Sequence, residues 1–74
     1  MSQLAVLLNV LERQLIAADE TVTVAGFRLD NGDRTSFAEE ILRVVAVMRA
    51  ADQTVGALLR TMMSQSQESQ TDAN

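Results

Sequence analysis

The side chains that most often carry out catalysis are absent from this 74-residue sequence, which contains no His, Cys, Tyr, Trp or Lys. The chain therefore lacks the usual proton shuttle, thiolate nucleophile, Schiff-base amine and zinc ligands. Acid–base chemistry would fall to carboxylates such as Glu12, Glu39 and Glu40, and these need a buried cleft that a small helical chain rarely encloses. No glycine-rich phosphate loop or nucleophile elbow is present in the sequence. We expect a protein that is not an enzyme and that needs no cofactor or metal.

A group of oxygen-bearing side chains, Asp30, Asn31 and Asp33, invites comparison with a calcium site. A calcium-binding loop places its oxygen ligands at alternate positions, with a glycine at the sixth position and a glutamate at the end. This segment does not have that spacing, whereas Asp, Asn and Gly are residues that favour tight turns. Residues 30–33 are therefore predicted to form a turn.

The composition favours association with protein over binding to nucleic acid. The net charge is −4, and an acidic chain is not drawn to a phosphate backbone by its overall field. Hydrophobic residues make up 47% of the chain and the only aromatic residues are two Phe, so the core must be aliphatic, which suits helices. Because a chain of this size is marginally stable without disulfides, metals or oligomerisation, we expect it to form oligomers.

An early apolar run, residues 4–8, is too short to span a bilayer. The run also lacks the preceding basic residue of a signal peptide, and Asn9, Glu12 and Arg13 follow it closely. We therefore expect a soluble, cytoplasmic protein that does not bind a membrane.

The first predicted helix runs from about Ser2 to Ala18, with Ser2 as its N-cap. Its apolar residues recur at steps of four and three: Leu4, Leu8, Leu11, Leu15 and Ala18. Residues 21–29, in contrast, are rich in Thr and Val and have the composition of a strand. A tight turn at Ala25 and Gly26 would fold them into a small β-hairpin, and a single bulged strand or a loop are the alternatives.

The second predicted helix carries the most regular pattern in the sequence. Ser36–Glu39 has the form of a capping box, which predicts a helix from Phe37 to about Met63. Along it, apolar residues recur without a miss at alternating steps of four and three, as they do in a helix that packs on a partner helix. We call this set the heptad stripe: Phe37, Ile41, Val44, Met48, Ala51, Val55, Leu58 and Met62. A break at 52–56 is the alternative, because β-branched residues and Gly56 lower helicity.

Two interaction surfaces follow from these patterns. The first predicted helix is shorter than the second, so the distal part of the heptad stripe would have no partner within the chain, and we expect a homodimer. The predicted dimer interface consists of Ile41, Val44, Val45, Met48, Val55, Leu58, Leu59 and Met62. On the connector, Phe27, Arg28 and Leu29 are predicted to bind a partner protein, because aromatic and Arg side chains dominate interface energetics. The alternative is that Phe27 and Leu29 cover the open end of the helical bundle.

The predicted fold is therefore mainly α, a helical hairpin with a short β-like connector that dimerises into a helical bundle. A single domain spans residues 1–63, and the polar residues 64–74 form a disordered tail. The predicted function is that of a small non-catalytic module that binds and masks a partner protein. By analogy of architecture alone, it would be an inhibitor or antiactivator, such as a phage- or plasmid-encoded anti-host protein, or a small secretion chaperone or adaptor.

Two other functions remain open from the sequence. A strand followed by two helices, residues 21–29, 37–50 and 53–63, has the element order of a ribbon-helix-helix dimer, whose paired strands enter the major groove of DNA. Arg28 is the only basic side chain on that strand, so base and phosphate contacts would be few. The other possibility is a structural subunit of a larger assembly.

Overall fold

Two α-helices joined by a tight turn form the chain. The computed structural model describes the backbone of residues 2–73 and the side chains of residues 2–65. Helix α1 spans Gln3–Asp30 and helix α2 spans Arg34–Ala73, and the two pack against each other as an antiparallel pair. The prediction of a mainly α helical hairpin is confirmed.

The turn between the helices is a Schellman motif centred on Gly32. Gly32 has φ +74°, a left-handed conformation that glycine adopts without a steric penalty. Its N–H donates to the carbonyl of Leu29 at 3.0 Å, and the N–H of Asp33 donates to the carbonyl of Arg28 at 2.9 Å. These bonds satisfy carbonyls that the end of α1 would otherwise leave unpaired. The prediction of a turn at residues 30–33 is confirmed.

Asp33 closes the turn and also caps the N-terminus of α2. Its carboxylate Oδ1 accepts a hydrogen bond from the backbone N–H of Ser36 at 3.1 Å, as an N-cap residue does. The predicted start at Phe37 with Ser36 as the cap was therefore wrong, because the helix begins earlier, at Arg34. Hydrogen bonds from the side chain and the backbone of Ser36, with a smaller effect of the Arg28 charge, hold the pKa of Asp33 below its usual value.

The predicted β-like connector at residues 21–29 was wrong, because this segment is the last part of α1. The hydroxyl of Thr21 donates to the carbonyl of Ala17 at 2.9 Å, and that of Thr23 donates to the carbonyl of Asp19 at 3.1 Å, so both Thr residues are accommodated in the helix. The strand preference of Val and Thr is worth only about 0.5 kcal/mol per residue against helix formation. Packing of α1 on α2 along its whole length outweighs that preference.

Helix α2 also passes through residues 52–56 without a break. The hydroxyl of Thr54 donates to the carbonyl of Ala50 at 3.1 Å, and the Thr54 side chain is buried.

The predicted end of the second helix near Met63 was wrong, because the described backbone of α2 continues as a helix to Ala73. The predicted disordered tail, residues 64–74, falls mostly on residues 66–74, whose side chains lie outside the described part of the chain. That prediction, and with it the boundary of the domain at residue 63, stays a prediction.

The hairpin forms a single layer. The Cα atoms extend over 64 × 18 × 11 Å, and their radius of gyration is 17.9 Å, whereas a compact chain of this length would have a radius of gyration of about 11 Å. Folded domains usually consist of at least two packed layers that bury a core between them. A single layer of two helices leaves both of its broad sides open.

Candidate protein-interaction surfaces

The contact between α1 and α2 is made along a regular heptad pattern, which we call the inter-helix seam. Every one of its side chains is buried or half-buried, and the spacing alternates between three and four residues. On α1 these residues are Leu4, Leu7, Leu11, Gln14, Ala18, Thr21 and Ala25, and on α2 they are Phe37, Glu40, Val44, Val47, Ala51, Thr54, Leu58 and Thr61.

The deepest positions of the seam hold small or polar residues. Among the described residues, the fully buried ones are Ala18, Ala25, Ala51, Glu40 and Thr54, and no large apolar side chain is fully buried. The hairpin therefore has an inverted distribution, with small or polar side chains at its most buried positions and many large apolar side chains exposed outside the seam. Monomeric soluble proteins rarely expose large contiguous apolar patches.

The buried carboxylate of Glu40 is paired within its own helix. Arg43 Nη1 lies 2.9 Å from Glu40 Oε1, and the Arg43 side chain is mostly exposed. Burying a charge is costly unless an opposite charge or hydrogen bond compensates it, and Arg43 provides that compensation.

Among the described residues no group of three His, Cys, Asp or Glu side chains is placed to hold a metal ion.

A shallow pocket near the start of α1 establishes the register of the hairpin. Gln3 lies there with Arg60, Thr61, Ser64 and Gln65 of α2. The N-terminus of α1 is therefore level with residues 60–65, so α1 runs alongside the distal part of the heptad stripe. The expectation that this part lacks a partner within the chain was wrong for Leu58, which is half-buried because α1 is longer than the sequence pattern suggested, whereas Val55 and Met62 remain exposed.

The same pocket shows which positions of the two helices share a side of the layer. Gln3 and Ser64 lie together, and both occupy the same heptad phase: Gln3 directly precedes the seam residue Leu4, and Ser64 lies one heptad after Ala57, which directly precedes the seam residue Leu58.

A heptad seam has two flanks, and in an antiparallel pair these flanks lie on opposite sides of the layer. Gln3 and Ser64 belong to the first flank. The second flank consists of the residues that directly follow the other set of seam positions, such as Val22, which follows Thr21, and the residues at the same heptad phase on both helices.

We call this second flank, between Leu8 and Leu29 on α1 and between Ile41 and Met62 on α2, the apolar face. It holds one large apolar residue at every seventh position of these two stretches, and each of these residues is 38–59% exposed. Its members are Leu8, Leu15, Val22 and Leu29 of α1 and Ile41, Met48, Val55 and Met62 of α2. One heptad before Ile41, at the start of α2, the same phase holds the charged residue Arg34.

The heptad stripe predicted for α2 is thus divided between two surfaces. Phe37, Val44, Ala51 and Leu58 belong to the inter-helix seam. The other seam residues of α2 are Glu40, Val47, Thr54 and Thr61, which are not members of the heptad stripe. Each of them directly precedes a member of the apolar face.

On α1, Leu8 and Leu15 were predicted as part of the apolar pattern of the first helix and Leu29 as part of a partner-binding patch. That these three residues share one face with Val22 was missed, although the four repeat at intervals of seven residues.

The residues predicted to form a dimer interface lie mostly outside the hairpin. Ile41, Val45, Met48, Val55, Leu59 and Met62 are exposed, while Val44 and Leu58 are half-buried against α1. Val44, Val45 and Met48 also line a shallow depression on α2 together with Arg49, Asp52 and Gln53. Their role in a dimer stays a prediction.

The residues predicted to bind a partner occupy the last turn of α1, and we call them the turn-end patch. Phe27 is 63% exposed, and Arg28 and Leu29 are also exposed. Because successive helix residues point about 100° apart, Leu29 belongs to the apolar face while Phe27 points away from it. Neither Phe27 nor Leu29 covers the end of the hairpin, so the alternative interpretation as an internal cover was wrong for the single chain.

Comparison with known proteins gives no match to any family model, curated protein or solved structure. Within the described residues, neither helix combines the length and the apolar character that crossing a membrane requires.

Proposed function

We propose that the protein is a non-catalytic binding module that acts as a helical homodimer and masks a surface of a partner protein. The observation that carries this proposal is the inverted distribution of side chains in a single layer. Large apolar residues on both helices remain 38% or more exposed, and contiguous exposed apolar patches of this kind usually mark interaction sites. The partner would be inhibited or stabilised because the module covers a surface that it needs.

The turn-end patch is the proposed capture site for the partner. It combines an exposed Phe with an Arg at the tip of an elongated hairpin, where a partner has free access. Aromatic and Arg side chains that become desolvated at the centre of an interface carry much of its binding energy. Helical modules commonly bind by placing such anchors into a groove on the partner.

Affinity capture with matched variants tests this proposal. Phe27→Ala and Arg28→Ala should reduce capture of a specific partner by about tenfold or more, as is usual for hot-spot residues, while helicity and oligomeric state are unchanged. The controls are Leu42→Ala, which also truncates a large exposed apolar residue, and Arg13→Ala, which also removes an exposed α1 charge. Equal capture by Phe27→Ala, Arg28→Ala and the wild-type protein would contradict the role of the patch.

The ribbon-helix-helix alternative loses its structural basis. That fold reads DNA with a pair of strands, and residues 21–29 are helical, with no strand anywhere in residues 2–73. The alternative of a structural assembly subunit would use the same exposed apolar residues, and it predicts particles larger than a dimer in solution.

A further inference from the structure

We infer that the apolar face is covered by the apolar face of a second copy, so that two hairpins stack into a four-helix bundle. This inference rests on the proposed homodimer and specifies the surface through which it forms. It differs from the sequence-based prediction because α1 contributes half of the interface.

The geometry of the face suits a second helical layer. The hairpin is a single layer with a thickness of 11 Å between its outermost Cα atoms, and helices pack on one another at axial distances of about 8–10 Å. Since the start of α1 is level with residues 60–65, Leu15 is about level with Met48, and Val22 with Ile41. The seam residues lie between the two rows of large side chains. Near the middle of the hairpin these seam residues include Ala18 and Ala51, which are small and buried. Large residues of a second copy can therefore insert between the rows.

The area of the face fits a stable dimer. The exposed parts of its eight side chains amount to about 650 Å² per copy, so that two copies would remove about 1,300 Å² from water, within the range of stable protein–protein interfaces. The area on one copy lies at the upper end of the largest apolar patches that monomeric proteins show, about 300–600 Å².

The charges around the face are compatible with a second copy as its occupant. A two-fold dimer brings the same patch of both copies together, and like charges brought together oppose association. None of the eight residues of the apolar face is charged, so its centre can meet itself without contact between like charges. Charged residues border this centre, namely Arg34, Glu12, Asp19 and Asp52, as at the rim of most protein interfaces.

Two valines on the same turn of α1 provide a matched test. Val22 lies on the apolar face and is 51% exposed, while Val24 lies on the opposite flank of the seam and is 38% exposed. In sedimentation equilibrium over about 1–100 µM, the wild-type protein should be a dimer. Val22→Asp should weaken the dimer by about 100-fold or more because it buries an unpaired charge, and Val24→Asp should change dimerisation by less than about threefold.

Circular dichroism shows whether each variant is still helical. If Val22→Asp unfolds, Val22→Ala and Val24→Ala replace the pair, with an expected loss of about tenfold for the first and none for the second. If the wild-type protein is a dimer and the Val22 variants leave it intact, the assigned face is wrong, although the homodimer stands. The same conclusion follows if the Val24 variants disrupt the dimer. A wild-type monomer at 100 µM overturns both the face and the homodimer, whereas capture through the turn-end patch is measured separately. Particles larger than a dimer also overturn the inference, because two copies that cover each other's apolar face form a closed pair.

Discussion

Replacing two glycines by alanine should change the stability of the hairpin in opposite directions. Gly32 has φ +74°, a conformation that costs an L-amino acid about 1–2 kcal/mol, so Gly32→Ala should destabilise the fold by that amount. Gly26 lies inside α1 and is exposed, and a Cβ added there meets no heavy atom within 4 Å. Alanine is more favourable than glycine in a helix by about 0.5–1 kcal/mol, so Gly26→Ala should stabilise the fold.

Urea unfolding followed by circular dichroism measures both effects. All variants must be compared at one protein concentration, because the proposed dimerisation would make stability depend on concentration. The free energies of unfolding of the two variants should differ by about 1.5–3 kcal/mol. A destabilised Gly26→Ala variant would refute the reasoning, because it would mean that Gly26 sits in a turn, as in the β-hairpin expected from the sequence, and not in a helix.

Two further predictions concern the cap and the seam. The pKa of Asp33 is lowered in the folded state by its hydrogen bonds with Ser36, so its contribution is present above the unfolded-state pKa and is lost as the pH falls through the folded-state pKa. Urea unfolding at neutral pH and at about pH 2.5 should therefore show a smaller acid-induced loss of stability for Asp33→Asn than for the wild-type protein. Ala51→Leu should destabilise the hairpin by about 1–3 kcal/mol because the buried seam has no space for a larger residue, whereas the exposed control Ala46→Leu should change the stability little. Equal effects of the two Leu substitutions would contradict the assigned seam.

The sequence predicted the hairpin and its turn correctly because both depend on strong local signals. Residues 30–33 contain the Asp, Asn and Gly that a helix-terminating turn requires, and the regular apolar spacing of α2 required a helix. The error at residues 21–29 arose because the strand preference of Val and Thr is a local property, whereas the length of α1 is determined by its packing on α2. Propensity differences of a few tenths of a kcal/mol per residue do not outweigh such packing.

The candidate site was predicted only in part, for a different physical reason. Apolar periodicity identified Ile41, Met48, Val55 and Met62 as residues that need a partner, but it could not distinguish the seam from the face beside it. The seam turned out to contain polar residues such as Thr21, Glu40 and Thr54, which a search for apolar residues ignores. The distance between the two helices determines which of two adjacent heptad positions faces the other helix. That distance depends on both helices together.

The small residues of the seam and the large residues of the apolar face depend on each other. Helix axes approach more closely across small side chains, and Ala18, Ala25 and Ala51 occupy the most buried positions between α1 and α2. A close approach brings the row on α1 next to the row on α2, so that the two form one continuous surface. Large residues at these three most buried positions would separate the helices and divide that surface into two narrow stripes, each too small for a stable interface. Small residues at the most buried positions therefore allow a two-helix chain to present a broad apolar surface.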